Sequence, residues 1–299
     1  MVSVLWSELL PYQFKRRLAE APIVYLPLGI CEPHGQISAF GLDTIKAEWL
    51  CQQAARHAGG IVAPALGYQI HESGYHARWL EDTVGEHNAH MTGMPPHVML
   101  HFFLYQLRAF ANAGFRGIVV ISGHSGGNQI DYRRAAALFE QTTGIRVWVA
   151  SDPELVDGLY DGDHAGKYEI SQLMYLRPEL VDTTKADLAE LPGAGGLLAI
   201  GEDASEASGE LGEKIMDACL SAVVTVANEM IRFTLSAPGV FCRPLTYEDI
   251  ETMMQQLRDK HSEWVTMKPL PGQFAVSEQS QWKPYEHVDR PWKECREDG

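Results

Sequence analysis

Short, continuously apolar runs alternate with longer amphipathic segments through the first 240 residues of the chain. Apolar runs of this length are typical of strands that are buried on both faces. The segments between them repeat apolar residues at helical spacing, and several end at glycine, which closes a helix readily. The pattern predicts strands over residues 23–28, 61–64, 117–121 and 145–150, and helices over residues 43–58, 95–113, 127–143, 166–176 and 210–233.

This alternation predicts an α/β fold, in which a three-layer sandwich has a mostly parallel sheet flanked by helices. Residues 1–237 are expected to form this domain. Two stretches without periodicity, residues 72–94 and 192–209, are predicted to be loops. Ligands of such sheets bind beyond the carboxyl ends of the strands, so the residues that follow each predicted strand are candidates for a functional site.

The chain changes character after Pro238, and residues 238–299 are predicted to form an extension of a helix over residues 247–264 and an irregular arm. Aromatic side chains lie there among prolines and charges, where no amphipathic helix would bury them: Trp264, Trp282, Tyr285 and Trp292. Tryptophan and tyrosine anchor interfaces, so we expect the arm to pack on a neighbouring subunit near residues 72–94. Folding of the arm onto its own domain stays an open alternative.

Composition narrows the range of partners and compartments. The 299 residues include 24 Lys+Arg and 39 Asp+Glu, giving a net charge of −15, so neither nucleic acid nor membrane is an expected partner. The 5 cysteines are widely spaced without a CxxC pair, which favours a reducing cytoplasmic location. Neither a signal peptide nor a transmembrane run of about 18 apolar residues is expected.

Ionisable side chains follow the predicted strand over residues 23–28. Glu32 and His34 lie in the motif Gly-Ile-Cys-Glu-Pro-His-Gly, and residues two apart in an extended segment point the same way. At a sheet crevice, two such groups need partners or a cation. Asp43 stands at the predicted start of the next helix, where it is either an N-cap or a further ligand.

Two later motifs add similar side chains. His124 lies in the turn Ser-Gly-His-Ser-Gly-Gly-Asn directly after a predicted strand, and His164 and Glu169 lie in Gly-Asp-His-Ala-Gly-Lys-Tyr-Glu. Mixed histidine and carboxylate ligands suit zinc, manganese or iron rather than calcium. Six candidates exceed the needs of one tetrahedral ion, whereas a pair of ions bridged by one carboxylate would use them.

Taken together, these three motifs resemble the creatininase (creatinine amidohydrolase) family over about residues 22–233. That family has a strand-end Glu-x-His-Gly, an aspartate several residues later, a glycine-rich histidine turn and a His-Ala-Gly-x-x-Glu segment. The resemblance implies a creatininase-like fold and a metal-dependent, non-peptide amidohydrolase. Its activated water would cleave a C–N bond of a small molecule, in a cyclic amide, an amidine or a formamide. It also implies a homo-oligomer, a hexamer or smaller.

The resemblance also assigns roles to individual positions. It implies two divalent ions per chain, with Zn²⁺ favoured and Mn²⁺ or Fe²⁺ as alternatives. The implied ligands share Asp43 as a bridge and are Glu32, Asp43 and His124 for one ion, and His34, Asp43 and Glu169 for the other. His164 matches the histidine that shuttles protons in the family, so His164 and Glu169 are the expected catalytic residues.

The sequence departs from the family pattern around the expected substrate pocket. Gly126 stands where creatininase itself has a glutamate of the second metal site, and the family's pocket-shaping loop survives only around His76 and Trp79. Creatinine is therefore not the expected substrate. The expected pocket residues are His76, Trp79, Ser125 and Gly126. One of the histidines that lie within residues 72–94 or just before them is expected to line the pocket. The candidates are His71, His76, His87 and His90.

Three other interpretations stay open. The chain could be a family variant that hydrolyses a cyclic keto-sugar. The turn around Ser125 also matches G-x-S-x-G, the nucleophile elbow of serine α/β-hydrolases, although that mechanism leaves Glu32, His34 and Asp43 without a role. The third interpretation is a non-catalytic scaffold whose C-terminal arm binds a partner.

Overall fold

A computed structural model of the chain describes residues 3–83, 90–190, 200–236 and 243–279. Its strands are β1 (Ile23–Leu28), β2 (Ile61–Val62), β3 (Gln69–Ile70), β4 (Gly93–Met94), β5 (Gly117–Ser122) and β6 (Arg146–Ser151). Four of them form a parallel sheet in the order β2-β1-β5-β6, and β3 pairs with β4 in a separate parallel pair. The register places Leu28 beside Ser122, and Ser122 beside Ser151, so β1, β5 and β6 end at one edge.

Helices cover both faces of this sheet. They are α1 (Pro11–Glu20), α2 (Leu42–Ala58), α3 (Gly74–Thr83), α4 (Pro96–Ala113), α5 (Asn128–Thr143), α6 (Asp152–Leu155), α7 (Lys167–Leu176), α8 (Gly209–Ser236) and α9 (Tyr247–Arg258). Alternate residues of a strand point to opposite faces. Val24 and Leu26 of β1 therefore pack with α4, α5 and α9, whereas Ile23 and Tyr25 pack with α2 and α8. The predicted three-layer α/β sandwich is confirmed.

The predicted strands and helices of the domain lie within a few residues of observed ones, and the structure adds α1, α6 and β3, which the pattern does not predict. Residues 192–199 of the predicted loop over residues 192–209 lie outside the described residues. Residues 72–94 were expected to be a loop, and this expectation is wrong, because α3 and the short strand β4 lie within them. The buried apolar residues of α3, Ala77 and Leu80, do stand at helical spacing, but the helix has only 10 residues and is rich in polar side chains. Contacts with a segment almost 200 residues later hold this helix in place, as described below.

Helix α8 is long and apolar enough, by length and composition alone, to cross a membrane. The sequence analysis expected no such run. Core helices of soluble folds pass the same test, and α8 packs along α2 and α7. Ile215, Met216, Cys219 and Val223 of α8 are buried in the same hydrophobic cluster as Tyr25 of the sheet. The structure thus accounts for the apolar face of α8 as core packing.

The described part of the C-terminal extension packs on its own chain. Helix α9 ends at Arg258, earlier than predicted, and short 3₁₀ turns follow it. They carry Trp264 into the main core, where it is 1% exposed. The expectation that its own chain would not bury Trp264 is therefore wrong, because turns rather than a helix place it. Trp282, Tyr285 and Trp292 lie outside the described residues.

Candidate metal centre

The ends of β1 and β5 bring the candidate residues together. Glu32 and His34 follow β1, and His124 follows β5. A Cβ atom on Gly123 would lie 2.0 Å from the carbonyl oxygen of Asp43. Only glycine therefore lets the turn after β5 approach the first turn of α2 so closely. This close approach places Asp43 beside His124.

The first ligand group consists of Glu32, Asp43 and His124, all of which are buried. The Nδ1 atom of His124 lies 2.8 Å from Oε1 of Glu32 and 3.6 Å from Oδ2 of Asp43. One ligand atom from each residue falls within 4.8 Å of the others. These three side chains can therefore surround one ion.

The second ligand group consists of His34, Asp43 and Glu169, whose ligand atoms also fall within 4.8 Å of one another. The Nε2 atom of His34 lies 3.5 Å from Oδ1 of Asp43 and 3.4 Å from Oε2 of Glu169. Asp43 thus presents Oδ1 to the second group and Oδ2 to the first. This is the arrangement that a carboxylate needs to bridge two ions.

The residues present fit such ions. Several buried atoms of these groups have no hydrogen-bond partner: Nε2 of His34, both carboxylate oxygens of Asp43 and Nε2 of His124. An unsatisfied buried polar atom costs about 1–3 kcal/mol, so four in one place indicate a ligand. Histidine and carboxylate donors suit divalent zinc, manganese and iron.

The electrostatic field at the centre favours positive charge. Burial would lower the pKa of His34, but Asp43 and Glu169 outweigh it and raise that pKa well above its usual value. Burial likewise opposes protonation of His124, but the charges of Glu32 and Asp43 raise its pKa to about 10. A field that holds a proton on a buried imidazole also stabilises a metal cation.

Lys46 supplies a buried positive charge behind the second group. Its Nζ lies 2.6 Å from Oε1 of Glu169, 3.2 Å from Oδ1 of Asp152 and 3.6 Å from Oδ1 of Asp43. Burial would raise the pKa of Glu169, but Lys46 and His34 lower it to about 2. Asp152 differs, because burial outweighs Lys46 and raises its pKa to about 6.

Sequence reasoning missed both Lys46 and Asp152, although each left a signal. Lys46 stands three residues after Asp43 on a helix face that otherwise buries apolar side chains such as Leu50. Asp152 follows β6 directly, at the edge where ligands of parallel sheets bind. A charged residue on an apolar helix face and an acid at a strand end both indicate this site.

Backbone contacts hold Glu169 at the start of α7. Its Oε2 accepts a hydrogen bond of 2.9 Å from the N–H of Ala165. Asp163 accepts from the N–H groups of Gly166 and Tyr168, which satisfies donors at the beginning of the helix. One carboxylate oxygen of Glu169 therefore contacts Lys46, and the other faces His34.

His164 lies at the border of the centre and is half-buried. Its ring stacks on His34 with 4.9 Å between ring centroids and contacts Trp79 at 5.2 Å. Its Nε2 lies 3.1 Å from the carbonyl oxygen of Pro33. A ligand atom of His164 also comes within 4.8 Å of Glu32 and His34, so this histidine is close enough to serve a molecule bound at the centre.

Helix α3 forms one wall beside the centre. His76 is buried, and its Nε2 lies 2.0 Å from where a Cβ on Gly126 would stand, so glycine at 126 makes room for this imidazole. Trp79 contacts both His164 and His71, with 5.8 Å between the Trp79 and His71 ring centroids. The structure therefore places His76, Trp79 and Gly126 together.

Ser125 lies apart from this wall. It is exposed, its Oγ accepts a weak hydrogen bond from Gln129, and it lines a surface cleft of about 680 Å³ together with Arg133 and Trp148. In the described parts of the chain, no hydrogen bond joins Ser125 to a histidine. A serine nucleophile needs such a base within reach, so the serine-hydrolase interpretation gains no support here.

His71 was singled out only as one of several histidines, and the structure places it in the centre. It follows β3, is buried, and has its Nε2 3.5 Å from Oε2 of Glu32. Burial and the neighbouring imidazoles hold the pKa of His71 and of His76 well below the usual value. His90 is exposed, and His87 lies outside the described residues.

The chain after α9 holds α3 in position, and residues 264–279 are called the C-terminal strap below. The carbonyl oxygen of Thr266 accepts a hydrogen bond of 2.9 Å from the hydroxyl of Ser73, and that of Lys268 accepts one of 2.9 Å from the N–H of Tyr75. The N–H of Ser277 donates to Glu81 at the other end of α3. The extension thus supports the wall of the site within one chain.

A buried carboxylate anchors the strap. Asp131 of α5 accepts hydrogen bonds from the backbone N–H groups of Val265 and Thr266, at 2.9 Å each, and from the hydroxyl of Thr266 at 2.7 Å. The sequence analysis did not single out Asp131 as an anchor. Its carboxylate is completely buried, so these donors replace the water that it loses.

A family model and a known protein relate this chain to the same protein family. The sequence model of the family described as "Creatininase: Creatinine amidohydrolase" matches residues 7–227. Creatinine amidohydrolase of Pseudomonas putida is 25% identical over 264 residues, covering 76% of this chain and 97% of that protein. The 3-dehydro-scyllo-inosose hydrolase of Thermotoga maritima is 27% identical over 118 residues, covering 38% of this chain and 33% of that protein.

Solved structures share the fold. A crystal structure of creatinine amidohydrolase aligns with a TM-score of 0.64 and 23% identity, covering 77% of this chain and 99% of the other. A manganese form of creatininase aligns with a TM-score of 0.62 and 23% identity over the same shares. A mutant creatininase complexed with creatine aligns with a TM-score of 0.61, again at 23% identity and with the same coverage.

Proposed function

Since this chain belongs to the creatininase family, we propose that it is a hydrolase that depends on two divalent ions and cleaves a C–N bond of a small molecule. The observation that carries the proposal is the position of Asp43, with one oxygen toward His34 and the other toward His124. A bridging carboxylate between two histidine-containing groups is typical of two-metal hydrolases.

The ions proposed are Zn²⁺ or Mn²⁺, with Fe²⁺ as an alternative. Creatininase structures include a manganese form and a mutant in a Zn–Zn form, and the donor set of this chain suits the same metals. Such ions supply Lewis acidity and lower the pKa of a water. Glu32 and Asp43 would hold one ion with His124, and Glu169 would complete the other group.

His164 is proposed as the group that moves protons. A carbonyl oxygen only accepts hydrogen bonds, so the contact with Pro33 assigns the proton of the neutral ring to Nε2 and leaves Nδ1 as an acceptor. An acceptor nitrogen beside the centre can take a proton from the water that attacks the carbon and can deliver this proton to the nitrogen as the C–N bond breaks, so that the amine leaves neutral. Such general acid–base work contributes about 10²–10⁴-fold to a rate.

The wall beside the centre suits a small, flat substrate. Trp79 offers an aromatic face, and the neutral ring of His76 can donate or accept a hydrogen bond. The Nδ1 of His71 accepts from the N–H of Glu72, so this ring keeps its Nε2–H as a donor. We propose a cyclic amide, an amidine or a formamide as substrate. A cyclic keto-sugar is the second candidate, and the local similarity to the inosose hydrolase of Thermotoga maritima favours it.

A substrate screen tests this proposal. The protein would be stripped with a chelator, reloaded with Zn²⁺ or Mn²⁺, and offered cyclic amides, amidines, formamides and cyclic keto-sugars. We expect hydrolysis that requires metal and is lost in Asp43→Asn. Turnover that survives chelation and is abolished by a serine-directed acylating reagent would contradict the proposal and point to Ser125.

A further inference from the structure

The two ligand groups differ in the charges beside their glutamates. Glu32 of the first group pairs with His71 and His124, and no lysine or arginine of the described residues pairs with it. Glu169 of the second group pairs with Lys46, whose Nζ lies 2.6 Å from its Oε1. Within the described chain, a buried ammonium therefore stands beside Glu169 and none stands beside Glu32.

Lys46 also lies on the second group's side of the bridging carboxylate. Its Nζ is 3.6 Å from Oδ1 of Asp43, which is the oxygen that faces His34. The oxygen of Asp43 that faces His124 is the other one, Oδ2. Both carboxylates of the second group thus face the same ammonium.

Glu169 has little capacity left for an ion. Its Oε1 is held by Lys46, and its Oε2 accepts a hydrogen bond of 2.9 Å from the N–H of Ala165. Only Oε2 faces His34, at 3.4 Å. An ammonium and a divalent ion repel each other, and this repulsion is strong at a buried site, where the effective dielectric constant is low.

We propose that Lys46 makes the second ion position weaker than the first, so that the chain holds one ion tightly and exchanges the other. The inference rests on the proposed function, since it requires both positions. Residues that contact a metal ligand change metal affinity by about 10–100-fold, and a difference of this size is expected here. Occupancy of the second position, and with it hydrolysis, would then follow the supply of free metal.

Asp152 places an opposite charge next to Lys46. Its Oδ1 lies 3.2 Å from Nζ of Lys46, and its Oδ2 accepts a hydrogen bond of 3.0 Å from Gln172. Asp152 is completely buried, and its pKa of about 6 leaves it ionised at pH 8. This carboxylate therefore offsets part of the charge of Lys46. Replacing Lys46 and replacing Asp152 should change the second ion position in opposite directions.

Zinc affinity tests the inference without a substrate. Metal-free protein would be titrated with Zn²⁺ at pH 8 against a chromophoric chelator, which gives a dissociation constant for each step. We expect two wild-type steps that differ by about 10-fold or more. His34→Asn removes a ligand of the second group only, so it should lose the weaker step and keep the tighter one.

Charge variants then address Lys46 itself. Lys46→Met should tighten the weaker step by about 10–100-fold and leave the tighter step unchanged. Asp152→Asn should weaken the weaker step. Lys214→Met is the matched control for the lysine, because Lys214 is exposed. His101→Asn is the control for His34→Asn, because His101 pairs with Glu251 outside the centre.

The direction of each change separates charge from packing, since damage to packing alone would weaken the step in both variants. Equal affinities of the two wild-type steps, or a weaker step that does not tighten in Lys46→Met, would overturn the inference and leave the two-ion proposal standing. Should Lys46→Met fail to fold by circular dichroism, Asp152→Asn decides: a weaker second step supports the inference, and an unchanged or tighter one overturns it. A wild type that binds no zinc would overturn the proposed function as well.

Discussion

The ammonium group of Lys46 lies 2.6 Å from Oε1 of Glu169, and both side chains are buried. This ion pair stands behind the second ligand group, so it orients Glu169 without occupying the oxygen that faces His34. The buried positive charge of Lys46 offsets the repulsion between the neighbouring carboxylates when no metal is bound.

Removing this charge is expected to destabilise the protein. Lys46→Met leaves Glu169 and Asp152 buried without their cation, and breaking a buried pair costs about 3–5 kcal/mol. Denaturant unfolding of metal-free protein measures the change in free energy of unfolding. Lys214→Met is the control, because Lys214 is exposed. Equal stability of the two variants would contradict the role given to Lys46.

The stability of the metal-free protein is expected to fall as pH rises from about 6.5 toward 10. The pKa of His124 is raised to about 10, so its contribution to stability is complete below the unfolded-state pKa of about 6.5 and is lost as pH rises through the folded value. Metal binding at pH 8 should release protons from this ring. Calorimetry in buffers of different ionisation enthalpy measures that release, and binding without it would argue against His124 as a ligand.

His164→Ala is expected to keep both ions and to lose about 10²–10⁴-fold in turnover. The ring lies at the border of the ligand groups, and its removal leaves Asp43 and its partners in place. Zinc content and turnover would be measured on the same preparation, with His101→Ala as control. A matching loss of metal in His164→Ala would make His164 a ligand instead.

Loosening the strap is expected to affect the pocket more than the metals. Asp131→Asn weakens the bonds to Val265 and Thr266, so α3 should move and KM should rise while zinc content in the two-ion centre stays constant. Limited proteolysis would report strap release. Glu263→Gln changes an exposed carboxylate nearby and should leave KM unchanged. An unchanged KM in Asp131→Asn would show that the strap does not contribute to substrate binding.

The homo-oligomeric state stays a prediction. Trp264 of the extension is buried in its own chain, whereas Tyr247, Leu270 and Phe274 of the extension are exposed and stay available for subunit contacts. Truncation before α9 would expose the hydrophobic core around Trp264, so a truncated chain would not test assembly alone. The oligomeric state is therefore measured by light scattering of the full chain. We expect a hexamer or a smaller oligomer, and a monomer at micromolar concentration would contradict this.

Glu32, His34, Asp43 and His124 could be found from the sequence, because strand ends are local features and the sheet brings them to one edge. Lys46 and Asp152 were missed because their meaning depends on burial by other elements. The sequence predicts a loop where α3 lies, since contacts that stabilise this helix come from Thr266 and Lys268. Contacts from a segment so far along the chain cannot be read from the residues of the helix itself.

The separation between Ser73 and Thr266 also has a consequence for synthesis. The two residues are 193 positions apart, so at about 5–20 residues per second the ribosome takes about 10–40 s to pass from one to the other. The residues that could bind the two ions, 32 to 169, emerge well before the strap. A nascent chain can therefore gather its metal ligands early, and the wall that would hold the substrate is completed last.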